Sequence, residues 1–115
     1  MAIDIFQTLD VIETMENFIE RKRPPEALRS KLDLSYKIED QSIIVFEIRP
    51  VWDKPGETLE SPVAKCTFVK AKNHWKVFWF RADLKWHSYE SEPSVATLVD
   101  FTKLIDEDKY HCFWG

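Results

Sequence analysis

Helical spacing governs the two ends of the chain and strict alternation governs its middle. Between residues 3 and 23, Phe6, Leu9, Ile12, Met15, Phe18 and Ile19 recur at steps of three and four, which predicts an amphipathic helix that buries this stripe. Arg21, Lys22 and Arg23 close it, where cations suit the negative pole of the helix dipole. Pro24 and Pro25 stop it, because neither ring leaves an amide hydrogen to donate. Pro25 also suits the first position of a short second helix, PPEALRSKL, with Ala27, Leu28 and Leu32 facing inward.

From Leu32 the period becomes two. Leu32, Leu34, Tyr36 and Ile38 alternate with polar neighbours, predicting a half-buried strand, and residues 39–42 form a polar turn. A second strand, SIIVFEIRPVW, carries Ile44, Phe46 and Ile48 on one side and Ile43, Val45, Glu47 and Arg49 on the other. Pro50 cannot donate to a ladder and marks a strand end, bulge or edge. Residues 53–62, acidic and proline-broken, read as the one long loop. PVAKCTFVKAK is the third strand, with Ala64, Cys66 and Phe68 opposing Val63, Lys65, Thr67 and Val69; Lys72 and Asn73 suit a left-handed turn after it.

The fourth strand, WKVFWFRADLKWHSY over residues 75–89, is the most aromatic stretch of the chain. Alternation assigns Phe78, Phe80, Ala82, Leu84 and Trp86 to the core and Trp75, Val77, Trp79, Arg81, Asp83, Lys85 and His87 to the opposite face. Its length predicts a bend or bulge around residues 83–85. Ser91 or Ser94 then caps a last helix whose buried stripe is Val95, Leu98, Phe101, Leu104 and Ile105. Asp106, Glu107 and Asp108 crowd its unfavourable end, and Phe113 and Trp114 should dock on the body. The fold class expected is one α+β domain over residues 1–115: a helix, a short second helix, a four-stranded antiparallel meander, and a C-terminal helix packed on one sheet face.

Composition narrows the function classes. With two glycines among 115 residues, a glycine-rich phosphate loop is excluded. A net charge of −4 argues against a nucleic-acid or anionic-membrane partner, although a local patch could depart from that average. Asp4 stands where a signal peptide needs a basic segment, and no apolar run is long enough to span a bilayer. Cys66 and Cys112 give no disulfide framework, so a cytoplasmic protein with reduced thiols is expected.

The candidate chemistry lies on the alternating charges. Glu47, Arg49, Lys65, Arg81, Asp83 and Lys85 would converge on one sheet face floored by Val45, Trp75, Val77 and Trp79. Such charges must pair or stay wet, either as a structural ion-pair lattice or as a groove of rings and fixed charges. The expected function is a non-enzymatic accessory or binding domain. Glu47, Arg49, Trp79, Arg81, Asp83, Lys85 and His87 would line its surface for a protein or small ligand, with no cofactor. A homodimer through the same face would bury the Trp75, Val77 and Trp79 stripe. The alternative is a magnesium-dependent hydrolase or nuclease, with Glu47 and Asp83 as ligands and Lys85 assisting water. His74, His87, His111, Cys66 and Cys112 show no zinc-ligand spacing. Cys112 with His87 or His111 would need proximity to act as nucleophile and base.

FEIRPVW (46–52), PVAKCTFVKAKNHWKVFWFRADLKWHSYE (62–90) and DEDKYHCFWG (106–115) resemble a family of small bacterial proteins described as a domain of unknown function, number 3024. The likeness runs from the PPEALR segment to Gly115 and is most specific in RADLKWHSYE and CFWG. It implies a stand-alone bacterial domain. It brings no established activity, cofactor or partner, so no functional residue carries over.

Overall fold

The computed structural model describes residues 5–114. Helix α1 (Ile5–Lys22) leads through a 3₁₀ turn at Glu26–Leu28 into strands β1 (Asp33–Glu39), β2 (Ser42–Pro50), β3 (Thr58–Val69) and β4 (His74–Phe80). Two short strands, β5 (Trp86–Ser88) and β6 (Ser94–Val95), precede helix α2 (Leu98–Glu107). The sheet is antiparallel with order β1-β2-β3-β4-β5, and β6 also pairs with β4, giving six strands where the alternation predicted four. The class is α+β.

The chain of α1 folds as its spacing requires, but the helix is rotated from the predicted stripe. Val11, Met15, Phe18 and Ile19 are buried, whereas Leu9 is 60% and Ile12 39% exposed. The buried positions follow the i, i+4, i+7 rule from Val11, which leaves Leu9 and Ile12 on the flank. Residues 3 and 4 and the side chain of Phe6 lie outside the described residues. The second helix is no more than one 3₁₀ turn. Leu28 N–H donates to the Pro25 carbonyl at 2.8 Å, and Ala27 and Leu28 remain exposed.

At the end of α1, Arg23 grips the start of β1. Its Nε and Nη2 donate to Asp33 Oδ1 and Oδ2 at 2.7 Å each, and Leu34 N–H donates to Oδ1 at 2.8 Å. The Arg23 guanidinium thereby holds the Asp33 carboxyl below its usual range. An acid depressed on folding stabilises above its unfolded pKa of about 3.9, and that contribution fades as pH falls through the lower folded value. Asp33→Asn should therefore lower the melting temperature by a constant amount from about pH 5 upward, and the gap to wild type should close below about pH 4. A gap that stays level into acid would refute this assignment.

The β1–β2 hairpin turns at Asp40, whose φ of 52° lies in the left-handed region. β2 ends at Pro50, as its missing amide predicted, but β3 begins at Thr58, inside the stretch read as a long loop. That loop shrinks to residues 51–57. A bulge shifts the β2–β3 register: Val45 pairs with Ala64 and Phe46 with Pro62, leaving Val63 as the extra residue. Pro62, unable to donate, sits where the ladder is already broken. Asn73, with φ of 50°, makes the predicted left-handed turn into β4.

The aromatic segment departs furthest from expectation. β4 stops at Phe80, the chain reverses through residues 81–85, and β5 returns with Trp79 opposite His87 and Phe80 opposite Trp86. The expected bend is thus a complete hairpin. β5 and β6 then lie in succession along the same edge of β4, separated by a detour. Tyr89 N–H donates to the Val77 carbonyl at 2.9 Å, and Val77 N–H donates to the Pro93 carbonyl at 3.0 Å.

Partners across an antiparallel ladder share a face. Ile43, Cys66 and Val77 form one such row, and Val45, Ala64 and Trp79 the next. These residues, with Leu34 and Trp75, join Val11, Met15, Phe18, Leu98, Phe101 and Ile105 in one core. The predicted faces are therefore exchanged. Trp75 and Val77 are core residues, while Phe78, Phe80 and Trp86 occupy the second face, with Ala82 and Leu84 exposed in the turn. Phe78 and Phe80 make the second face of β4 apolar at one end, and only His74 and Lys76 at the other end mark that face as the outer one.

Helix α2 begins later than Ser91 or Ser94 suggested. Its N-cap is Thr97, whose hydroxyl accepts from Asp100 N–H at 3.1 Å, because Ser94 is taken into β6 opposite Lys76. Its acidic end is resolved locally. Lys22 Nζ donates to Asp106 Oδ1 at 2.9 Å. Asp108, buried at 6% exposure, accepts from Phe113 N–H at 3.1 Å and Trp114 N–H at 2.9 Å. The tail docks as expected: Phe113 meets Tyr89 with ring centroids 4.9 Å apart, and the Trp114 indole N–H donates to the Ile105 carbonyl at 2.7 Å. No described helix is long and apolar enough to cross a membrane.

Candidate functional site

The seven candidate residues fall into two groups. Glu47 and Arg49 stand two apart on β2, and Arg49 Nη2 donates to Glu47 Oε1 at 3.1 Å. The others gather at the β4–β5 hairpin. Trp79 is half-buried against the core, and the Arg81 guanidinium lies over its ring at 5.0 Å from the centroid. Arg81 N–H donates to the Lys85 carbonyl at 3.1 Å, closing a loop of three residues in which Leu84 takes a φ of 61°. Asp83 braces that loop from inside. Its Oδ1 accepts from Lys85 N–H at 3.0 Å, and its Oδ2 from His87 Nε2 at 2.7 Å. The His87 hydrogen bond holds the Asp83 carboxyl below its ordinary range. Lys85 contributes backbone to this arrangement, and its side chain makes no ion pair among the described residues.

Trp79, Arg81 and His87 line one shallow depression with Cys112. Proximity of His87 and Cys112 is thus met at the level of the pocket. Burial, and then the Asp108 charge, push the Cys112 thiol upward, which disfavours the thiolate a nucleophile needs. Cys66 is fully buried and its thiol is raised well above normal by burial. It is a core residue. For the metal alternative, Glu47 is engaged by Arg49, while Asp83 is held by His87 and the Lys85 amide. Among the described residues no three His, Cys, Asp or Glu side chains are placed to hold an ion together.

The second sheet face gathers rings and ammonium groups that the alternation assigned elsewhere. Lys65 belongs to this face and not with Glu47 and Trp79, because it stands opposite Ile44 and Phe78, whereas Trp79 stands opposite Ala64 and Val45 follows in the same row. Its Nζ lies 4.8 Å from the Phe78 ring centroid and 5.1 Å from that of Trp86. Phe80 meets Trp86 nearly edge-on at 5.0 Å. Burial lowers the Lys65 pKa, and no ion pair of Lys65 occurs among the described residues. Toward β1, Lys37 lies over the Phe46 ring at 5.4 Å and pairs with Glu60 at 3.1 Å. Ile44 and Phe46 are buried beneath these side chains at 9% and 6% exposure.

A sequence signal for this platform existed. Phe78, Phe80 and Trp86 are the second apolar parity class of the segment, and a lysine on the adjacent strand, opposite Phe78, is the cation they hold. What alternation could not supply was the return of the chain at residues 81–85, which places Trp86 beside Phe80 and not six residues further along.

Fold and surface define a small α+β domain with an aromatic, cation-bearing sheet face. The family model for the Domain of unknown function (DUF3024) matches residues 3–115, and the chain belongs to that family. Neither a curated protein nor a solved structure matches it.

Proposed function

We propose that the chain is a non-enzymatic binding domain that receives a small, flat, ring-bearing ligand on the second face of its sheet. The observation that carries this reading is the Lys65 ammonium resting on Phe78 and Trp86 with no ion pair to it among the described residues, Glu39 acting on it only at longer range. On this reading both helices lie against the core face, so no element among the described residues covers the opposite one. A solvated antiparallel face is ordinarily polar, whereas this one is built of half-buried rings. Lysine has a flexible stem, and lifting it from the rings exchanges a cation–π contact for a stacked ligand and a hydrogen bond donated to that ligand. The compartment fitting two free cysteines is a reducing one such as the cytoplasm.

Adenosine, uncharged and planar, is the probe. Its titration should quench tryptophan fluorescence saturably, and Trp86→Ala should weaken the affinity about tenfold, since stacking on an aromatic ring is worth about 1–3 kcal/mol per base. Far-UV circular dichroism should be unchanged in the variant. Absence of saturable quenching, or equal affinity in Trp86→Ala, would overturn the reading.

A further inference from the structure

Beside the ring platform, at the edge of the sheet, lies a depression of about 240 Å³ whose lining includes Lys72, His74, Lys76, Phe78, Ser88 and Ser94. The register explains why these residues meet. Alternation along β4 puts His74, Lys76 and Phe78 on the second face. Ser94 pairs with Lys76 and Ser88 with Phe78, which brings both hydroxyls to the same side. The detour of residues 89–93 separates the two serines and opens the edge between them.

Three features of the lining point to one kind of ligand. No carboxylate contributes to it, in a chain whose net charge is −4. Neither Lys72 nor Lys76 makes an ion pair among the described residues. The His74 Nε2 atom is shut off from solvent and bonds to nothing, the one such side-chain atom found among the described residues. A buried polar atom without a partner is costly, and a ligand that supplied the partner would remove that cost. Two ammonium groups and two hydroxyls together match the oxygens of a phosphate, and a turn of the His74 ring would bring its unpartnered nitrogen to the same ligand.

We propose that this depression is the phosphate subsite of a nucleotide ligand whose base lies over Phe78 and Trp86. The inference rests on the platform reading above and names its ligand class. Phe78 belongs to both places, since it lines the depression and sits beneath Lys65. A phosphate held by Lys72, Lys76 and the serines therefore leaves the attached nucleoside directed toward the rings. The acidic remainder of the surface repels a polyanion elsewhere, so the chain's overall charge and this local site are compatible.

The test compares adenosine, adenosine monophosphate and a hexamer of riboadenylate on the full chain by calorimetry at one fixed ionic strength. Adenosine monophosphate should bind at least tenfold more tightly than adenosine. The double variant Lys72→Glu, Lys76→Glu changes only exposed side chains, so folding is not at stake. It should abolish that advantage while leaving adenosine affinity as it was. Inorganic phosphate alone should shift the His74 ring resonances of the wild-type protein. Equal affinity for adenosine and its monophosphate, or an advantage that survives in the double variant, overturns the phosphate subsite while the ring platform stands. Failure of all three ligands to bind overturns both. A hexamer that binds more tightly than the monophosphate supports the subsite with a strand as its source, and equal binding supports it with a free nucleotide.

Discussion

Phe101→Ala should destabilise the protein by about 3–5 kcal/mol, the usual cost of removing a fully enclosed phenyl ring. Phe101 is 0% exposed and lies in the one core where Met15 and Phe18 of α1 meet Val77 of β4. The cavity left behind would be shared by helix and sheet, so neither can collapse into it alone. Domains of this size are stable by about 5–15 kcal/mol, and the variant should therefore melt more than about 10 °C lower. Val99→Ala on the same helix is the control. Val99 is 47% exposed, and its truncation should cost no more than about 0.5 kcal/mol. Chemical denaturation with an unchanged slope checks both. Similar losses at the two positions would mean that α2 contributes propensity and not packing.

Asp108→Ala should cost about 3 kcal/mol through a different route. The carboxylate is buried and its two oxygens accept separate amides, those of Phe113 and Trp114. Deleting it strands both donors and frees the tail that carries two rings onto the body. The backbone angle complicates the reading, since Asp108 has a φ of 42° and alanine resists that region. Asp108→Gly separates the effects, because glycine adopts the angle freely but offers no acceptor. It should remain destabilised by about 2 kcal/mol. The Trp114 emission should shift to the red in both variants, as the indole leaves the Ile105 carbonyl. Wild-type stability in Asp108→Gly would assign the role to the backbone angle and remove it from the carboxylate.

Much of this architecture was readable from residue types. Pro24 and Pro25 end α1, Pro50 ends β2, Asn73 supplies a left-handed turn, and Phe113 and Trp114 dock, each for the reason its chemistry gives. The turn at residues 81–85 was not readable as a full reversal. It contains no glycine, proline or asparagine, and its left-handed position is filled by Leu84, a residue that pays strain to be there. With two glycines in the chain, such positions fall instead to Asp40, Asn73, Leu84, Asp108 and His111. The exchanged faces of β4 have another cause. Trp75 and Val77 on one side and Phe78 and Phe80 on the other are equally apolar, and the distinguishing residues are His74 and Lys76 at the start of the strand, on the Phe78 side. The candidate surface was legible as composition, rings with cations, but its members depended on the register that sets Lys65 opposite Phe78 and on the Trp86 return, which are properties of pairing.

The margin of the sheet formed by β5 and β6 has a consequence beyond ligand chemistry. An uninterrupted outer strand invites a neighbour to copy its hydrogen-bond spacing, and so seeds fibrils. Here Trp86–Ser88 and Ser94–Val95 are too brief, and broken apart by the intervening excursion, to serve as a template. On that flank the protein is insulated from runaway self-assembly by geometry, with Pro93 bonding to Val77 just ahead of β6 and offering no amide of its own.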